Sequence, residues 1–146
     1  MILYHGGAPG FVAGDYIEPH ETKRIDDCPI CAVGGDANHL PDRVFASPVR
    51  IYAKHYASKW GGGTLYVVEA AEWSELERSE ADSIETYHAS ALRVSRVAER
   101  GVVLTASERR HVYRVWKEAD LSRGWGISLA DSLADLRLQR ALGMRA

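Results

Sequence analysis

His5 closes a short apolar run, Ile2-Leu3-Tyr4, and is followed by Gly6, Gly7, Ala8, Pro9 and Gly10. An imidazole donates or accepts a hydrogen bond near neutral pH, and glycine lets a ligand come close to the backbone. The plain alternative is a hydrogen-bonded strand histidine followed by a surface turn. The two cysteines, Cys28 and Cys31, lie together in Cys-Pro-Ile-Cys. A disulfide there would close too small a loop to stabilise much. As half of a zinc site the pair needs two of His20, His39 and His5, but no second pair has recognisable zinc spacing. No helix-forming segment follows to activate a redox thiol. Two reduced thiols in a loop is the favoured reading, with no metal expected. Tyr52 and Tyr56 stand one helical turn apart, a spacing that suits either a core stripe or an aromatic wall. Gly6, Gly7 and Gly10 do not make the dinucleotide fingerprint, and a phosphate-cradling Walker loop is absent. Serine-hydrolase and zinc-hydrolase signatures are missing as well.

These residues need elements to hold them. Residues 2–5 read as a buried strand and 15–18 as a second extended piece. Residues 19–42 are polar and carry Pro19, Pro29, Pro41 and Gly34-Gly35-Asp36, a long irregular excursion of the kind that often serves function. Residues 43–46 return to strand. Ser47 then suits a helix N-cap with Pro48 at the first helical position. The helix that follows places Val49, Tyr52, Ala53 and Tyr56 on one face, and Gly61–Gly63 stops it. Residues 64–70 are the strongest strand, rich in β-branched and aromatic side chains. Residues 71–83 are acidic and loop-like or briefly helical. Residues 84–104 read as one long strand or two joined near Glu99-Arg100-Gly101. A helix over 105–120 opens with a cap at Thr105 or Ser107, and 128–143 reads as an amphipathic helix. Arg109, Arg110 and Arg114 suit a solvated helix face. The expected class is α+β, a single domain over 1–146 with a core at 1–104 and C-terminal helices at 105–146.

Composition excludes little. The 146 residues are 46% hydrophobic and 26% charged, with a net charge of −2, so no global charge advertises nucleic acid or a membrane surface. No apolar segment approaches the roughly 20 residues of a membrane span. The N-terminal residues do not form a signal peptide, which makes a cytoplasmic protein the expectation.

Three motifs stand in a telling order: Tyr4-His5-Gly6 with Gly14-Asp15-Tyr16-Ile17; Val44-Phe45-Ala46-Ser47 leading into a helix; and Glu85-Thr86-Tyr87-His88 with Leu92-Arg93-Val94. Together with Val68-Glu69, this order resembles the histidine–tyrosine–acid branch of the ADP-ribosyltransferase superfamily over roughly residues 3–97. More specifically, it resembles the small single-domain enzymes that ADP-ribosylate rifamycin antibiotics. The resemblance implies a split β-sheet core and NAD as co-substrate. The implied activity is mono-ADP-ribosyl transfer to an acceptor: a small molecule such as a rifamycin, a protein or a nucleic acid.

The roles carried over are these. His5 binds a ribose and Gly6 reads the nicotinamide carboxamide through its backbone. Phe45, flanked by Ser47 on the cofactor-binding segment, falls where the family usually has tyrosine (a match shifted by one residue puts Val44 there), so it can stack but cannot donate a hydroxyl. Tyr56 matches a second stacking aromatic in the poly(ADP-ribose) polymerase group. Glu85 matches the catalytic glutamate of that group, at the start of the late strand, whereas the rifamycin enzymes place their acid earlier, pointing to Glu75 or Glu77. Such an acid stabilises an oxocarbenium-like transition state. Two rival readings stand beside this one: an inactive binding module of the same fold, and a zinc-stabilised interaction domain around Cys28 and Cys31.

Overall fold

In the computed structural model the described residues are 1–19 and 42–124. Residues 20–41, expected to form a long loop with His20, Cys28, Cys31 and His39, and the helix expected at 128–143 lie outside them. The chain divides into two compact units, Met1–Val103 and Leu104–Ala146.

The first unit holds seven strands and one helix among its described residues: β1 (Leu3–Gly7), β2 (Tyr16–Ile17), β3 (Val44–Ala46), α1 (Arg50–Ser58), β4 (Thr64–Ala70), β5 (Glu77–Arg78), β6 (Tyr87–Ala89) and β7 (Leu92–Glu99). The class is mixed α+β. One antiparallel sheet runs β1-β4-β7-β2 and a second, smaller one runs β3-β6-β5. Alternation along the strands explains how they pack. Leu3, Ile17, Tyr66, Val68, Leu92 and Val94 all project from one face of the larger sheet, where they meet Val44, Ala46 and Ala89 of the smaller. Leu65 projects from the opposite face and packs with Val102 and with Ala53 and Ala57 of α1. The unit is therefore layered helix, sheet, sheet. Lys54 on α1 reaches Glu99 at the end of β7 (3.1 Å), and the exposed Arg50 reaches the same carboxylate at 3.3 Å.

Three expectations need correction. Helix α1 starts at Arg50 with Val49 in the cap position, two residues later than a Ser47 cap would give, because Ser47 is drawn into a β-bridge with Tyr4. The stretch 84–104 is broken at Ser90-Ala91, and the piece before β6 is not strand; the break separates β6 and β7, which belong to different sheets. The acidic stretch 71–83 contains a 3-10 turn (Trp73–Glu75), as expected, but also β5, which pairs with β6. In the second unit α2 (Ala106–Ser122) begins with a complete capping box. Thr105 Oγ1 accepts from the Glu108 amide at 3.1 Å and Glu108 Oε1 accepts from the Thr105 amide at 3.0 Å.

Candidate functional site: the split between β1 and β3

The two sheets touch where β1 meets β3. Tyr4 donates its amide to the Ser47 carbonyl at 2.8 Å, and Ser47 donates back to Tyr4 at 2.9 Å. A ladder of this kind would continue two residues on, pairing Gly6 with Phe45. It does not, since Tyr4–Ser47 is an isolated bridge and the strands belong to different sheets. The Phe45 carbonyl is instead bonded to His5 Nδ1 at 2.7 Å. A carbonyl only accepts, so Nδ1 carries the proton in this bond. A Cβ on Gly7 would stand 2.8 Å from Nε2, so the bare Gly7 backbone makes room for the ring. The His5 ring also stacks towards Tyr66, with centroids 6.3 Å apart and planes at 27°. Tyr66 in turn donates to the Ala8 carbonyl (2.7 Å) and accepts from the Phe11 amide (3.3 Å), fixing the turn after β1.

By strand alternation the N–H and C=O of Gly6 point along the same edge as those of Tyr4, beyond the bridge. On its side-chain face Gly6 meets α1: a Cβ would lie 1.8 Å from the Ala53 carbonyl oxygen and 2.6 Å from the Ala57 nitrogen. Helix packing alone thus requires glycine here. The same approach brings α1, which carries Tyr56 beside Ala57, against the strand.

Phe45 contributes its carbonyl to His5, while its ring lies on the outer face of the smaller sheet, 5.3 Å from the ring of His88, its cross-strand partner. Arg43 Nε donates to His88 Nδ1 at 2.9 Å. Burial, then the Arg43 cation, lowers the His88 pKa and favours the neutral imidazole that accepts this bond.

Glu85 differs from expectation in being off the strand, two residues ahead of β6. Its backbone is nevertheless tied to the split, because Ser47 Oγ donates to the Glu85 carbonyl at 2.6 Å while accepting from the Val49 amide at 3.0 Å. The carboxylate, 41% exposed, accepts from the Tyr87 hydroxyl at 3.2 Å and lies 4.0 Å from Arg78. Glu75 sits in the 3-10 turn and accepts from Ser90 Oγ at 2.5 Å. Glu77, 67% exposed, lies 4.0 Å from Arg43. Of the three acids, Glu85 is the one joined through Ser47 to the β1 edge. His5, Gly6, the Phe45 carbonyl, Ser47 and Glu85 therefore form one connected set. Tyr56 lies on α1, where its hydroxyl meets that of Tyr52 at 3.2 Å.

Sequence reading assigned no role to Tyr66 or Tyr87. Alternation along β4 places Tyr66 on the inner face with Val68, but nothing local marks its bond to the turn. Among the described residues no group of three or more His, Cys, Asp or Glu is arranged to hold a metal, and no helix is long and apolar enough to cross a membrane. No family model matches the chain, and no curated protein matches it significantly.

Proposed function

We propose that the chain is a cytoplasmic, NAD-dependent mono-ADP-ribosyltransferase on the split-sheet fold that its motifs resemble. The observation that carries this reading is the interrupted ladder at Gly6, with His5 bonded to the carbonyl that would otherwise pair with it. One residue's N–H and C=O, side by side on a strand edge, complement a primary carboxamide, which offers one acceptor oxygen and an NH2 donor. Nicotinamide would take the place of the missing strand. Aromatic faces, Tyr56 first and Phe45 second, flank such a flat leaving group. His5 Nε2 accepts from a ribose hydroxyl.

In the reaction the bond from nicotinamide N1 to ribose C1′ breaks and its electron pair leaves with nicotinamide. An acceptor nucleophile bonds to C1′ and gives up a proton. Glu85 faces the positive charge that builds on the ribose, and Tyr87 and Arg78 orient its carboxylate. The acceptor is a small molecule such as a rifamycin, a protein side chain or a nucleic-acid base.

Release of nicotinamide from NAD by the purified full chain, with rifamycin, with protein acceptors and in water, tests the reading. Wild type should release it, Glu85→Gln should lose at least about 100-fold, and Glu75→Gln and Glu77→Gln should stay near wild type. Loss with Glu75→Gln alone would move the acid to the 3-10 turn. A second reading, an inactive module that keeps the NAD cleft, is favoured by Phe45 standing where the family has tyrosine. Tight NAD binding without release under every condition would select it.

A further inference from the structure

Behind the split lies a buried polar cluster that none of the roles above uses. Asp82 is 5% exposed, Ser79 4% and Tyr52 4%. Tyr52 donates its hydroxyl to Asp82 Oδ1 at 3.0 Å, and Ser79 Oγ donates to Asp82 Oδ2 at 2.5 Å. Tyr52 has one proton and gives it to Asp82, so the 3.2 Å bond between Tyr52 and Tyr56 takes its proton from Tyr56. The chain of donors therefore has one direction, Tyr56 to Tyr52 to Asp82. Burial first, then Tyr56 and Asp82, pushes the Tyr52 phenol well above its ordinary range, which keeps that proton in place. At the other end Asp82 belongs to the segment that presents Glu85. The Ser79 amide donates to the Thr86 carbonyl at 2.8 Å, closing residues 79–86 into a loop, and Ser47 holds the Glu85 carbonyl from outside. Asp82 ties this loop to α1.

We propose that Asp82 is a positioning residue, which through Tyr52 fixes the Glu85 loop and the ring of Tyr56 relative to each other across the candidate site. The functional half of this proposal rests on the NAD reading above; the structural half does not. A hydroxyl relay suits the task because its bonds are directional and its Asp82 end is buried, so breaking one frees both ends. A carboxylate displaced by an ångström or so stops matching the charge on the reacting sugar while substrate still binds.

The test uses the full chain with Tyr52→Phe, which keeps the ring and removes the relay, and with Asp82→Asn as a second variant should the first fail to fold. Two readouts are taken. Without ligand, hydrogen exchange at the Ser79 amide should speed up by about 10-fold or more in a protein whose exchange in β4 and β7 is unchanged. With NAD, kcat should fall by about 10- to 100-fold in Tyr52→Phe, and the greater part of that loss should disappear in a Glu85→Gln background, where only the effect on Tyr56 is left. Unchanged Ser79 exchange in both variants overturns the tie itself. Additive losses in the double variant overturn the positioning role and leave a merely structural one. A wild type that releases no nicotinamide and binds no NAD defeats the functional reading, and with it the role towards Glu85, while the exchange measurement still decides whether Asp82 ties the loop to α1.

Discussion

Replacing Gly6 by alanine puts a methyl group where α1 already stands. The new Cβ would lie 1.8 Å from the Ala53 carbonyl oxygen and 2.6 Å from the Ala57 nitrogen, both backbone atoms that no rotamer change can move. An ordinary carbon–oxygen contact is about 3.3–3.6 Å, so helix and strand must separate by roughly 1.5 Å. That shift loosens the cluster of Ala53, Ala57, Leu65 and Val102, which is almost wholly buried. Overpacking a core by one methyl costs about 1–3 kcal/mol, and a clash with fixed backbone belongs at the upper end. For a unit of about 100 residues each kcal/mol lowers Tm by about 4–8 °C, which predicts a fall of roughly 12–24 °C. Gly7→Ala is the control, because its Cβ meets only the far end of the His5 side chain, at 2.8 Å. Turning the ring away sacrifices one hydrogen bond, worth about 1 kcal/mol, so Gly7→Ala should lose only about 4–8 °C. Melting followed by far-UV circular dichroism separates the two. A Gly6→Ala protein that melts within about 3 °C of wild type, or no lower than Gly7→Ala, would refute the close approach of α1.

Two further outcomes follow from buried polar groups. Ser83 Oγ is buried without a hydrogen-bond partner among the described residues. An unsatisfied hydroxyl costs about 1–3 kcal/mol, so Ser83→Ala should hold or raise Tm, and a fall of several degrees would show that the hydroxyl is bonded after all. Burial, reinforced by Lys59, lowers the His55 pKa from 6.5 to about 3. Between those values the unfolded chain binds a proton that the folded chain refuses. Its contribution is therefore complete above pH 6.5 and declines, by up to about 1.4 kcal/mol per pH unit, as pH drops towards 3. His55→Gln should flatten the decline in urea midpoint between about pH 6.5 and 4.5; an unchanged slope would assign the acid sensitivity elsewhere.

What could be read from the sequence is what local chemistry decides. The run Thr64–Ala70 is rich in β-branched and aromatic residues and forms β4 with the expected ends. Thr105 with Glu108 specifies a helix start from four residues alone, and α2 begins there. Glycines at 61–63 end α1. Where tertiary pairing decides, local signals gave the wrong boundary. Ser47 has the right side chain for a cap, but a bridge to Tyr4 keeps its backbone extended and moves the helix start to Arg50. Glu77-Arg78 has no strand propensity to speak of and is strand only because β6 lies beside it. The candidate site shows the same division. His5 and Gly6 stand out by type and order, yet the reason Gly6 must be glycine, the backbone of a helix about 50 residues on, is visible only in three dimensions. The tie from Ser47 to Glu85 spans 38 residues and the relay from Tyr52 to Asp82 spans 30, separations that no spacing rule addresses.

The central claim, that the edge of Gly6 beyond the Tyr4–Ser47 bridge receives a nicotinamide carboxamide, is tested most directly by nitrogen–proton NMR of the labelled chain titrated with NAD. The account predicts that the Gly6 amide resonance shifts progressively and saturates, that the His5 ring follows it, and that resonances on the far sheet edge at Tyr16 and Ile17 do not move. Saturable NAD binding that leaves Gly6 and His5 untouched, or no binding at all, would contradict it.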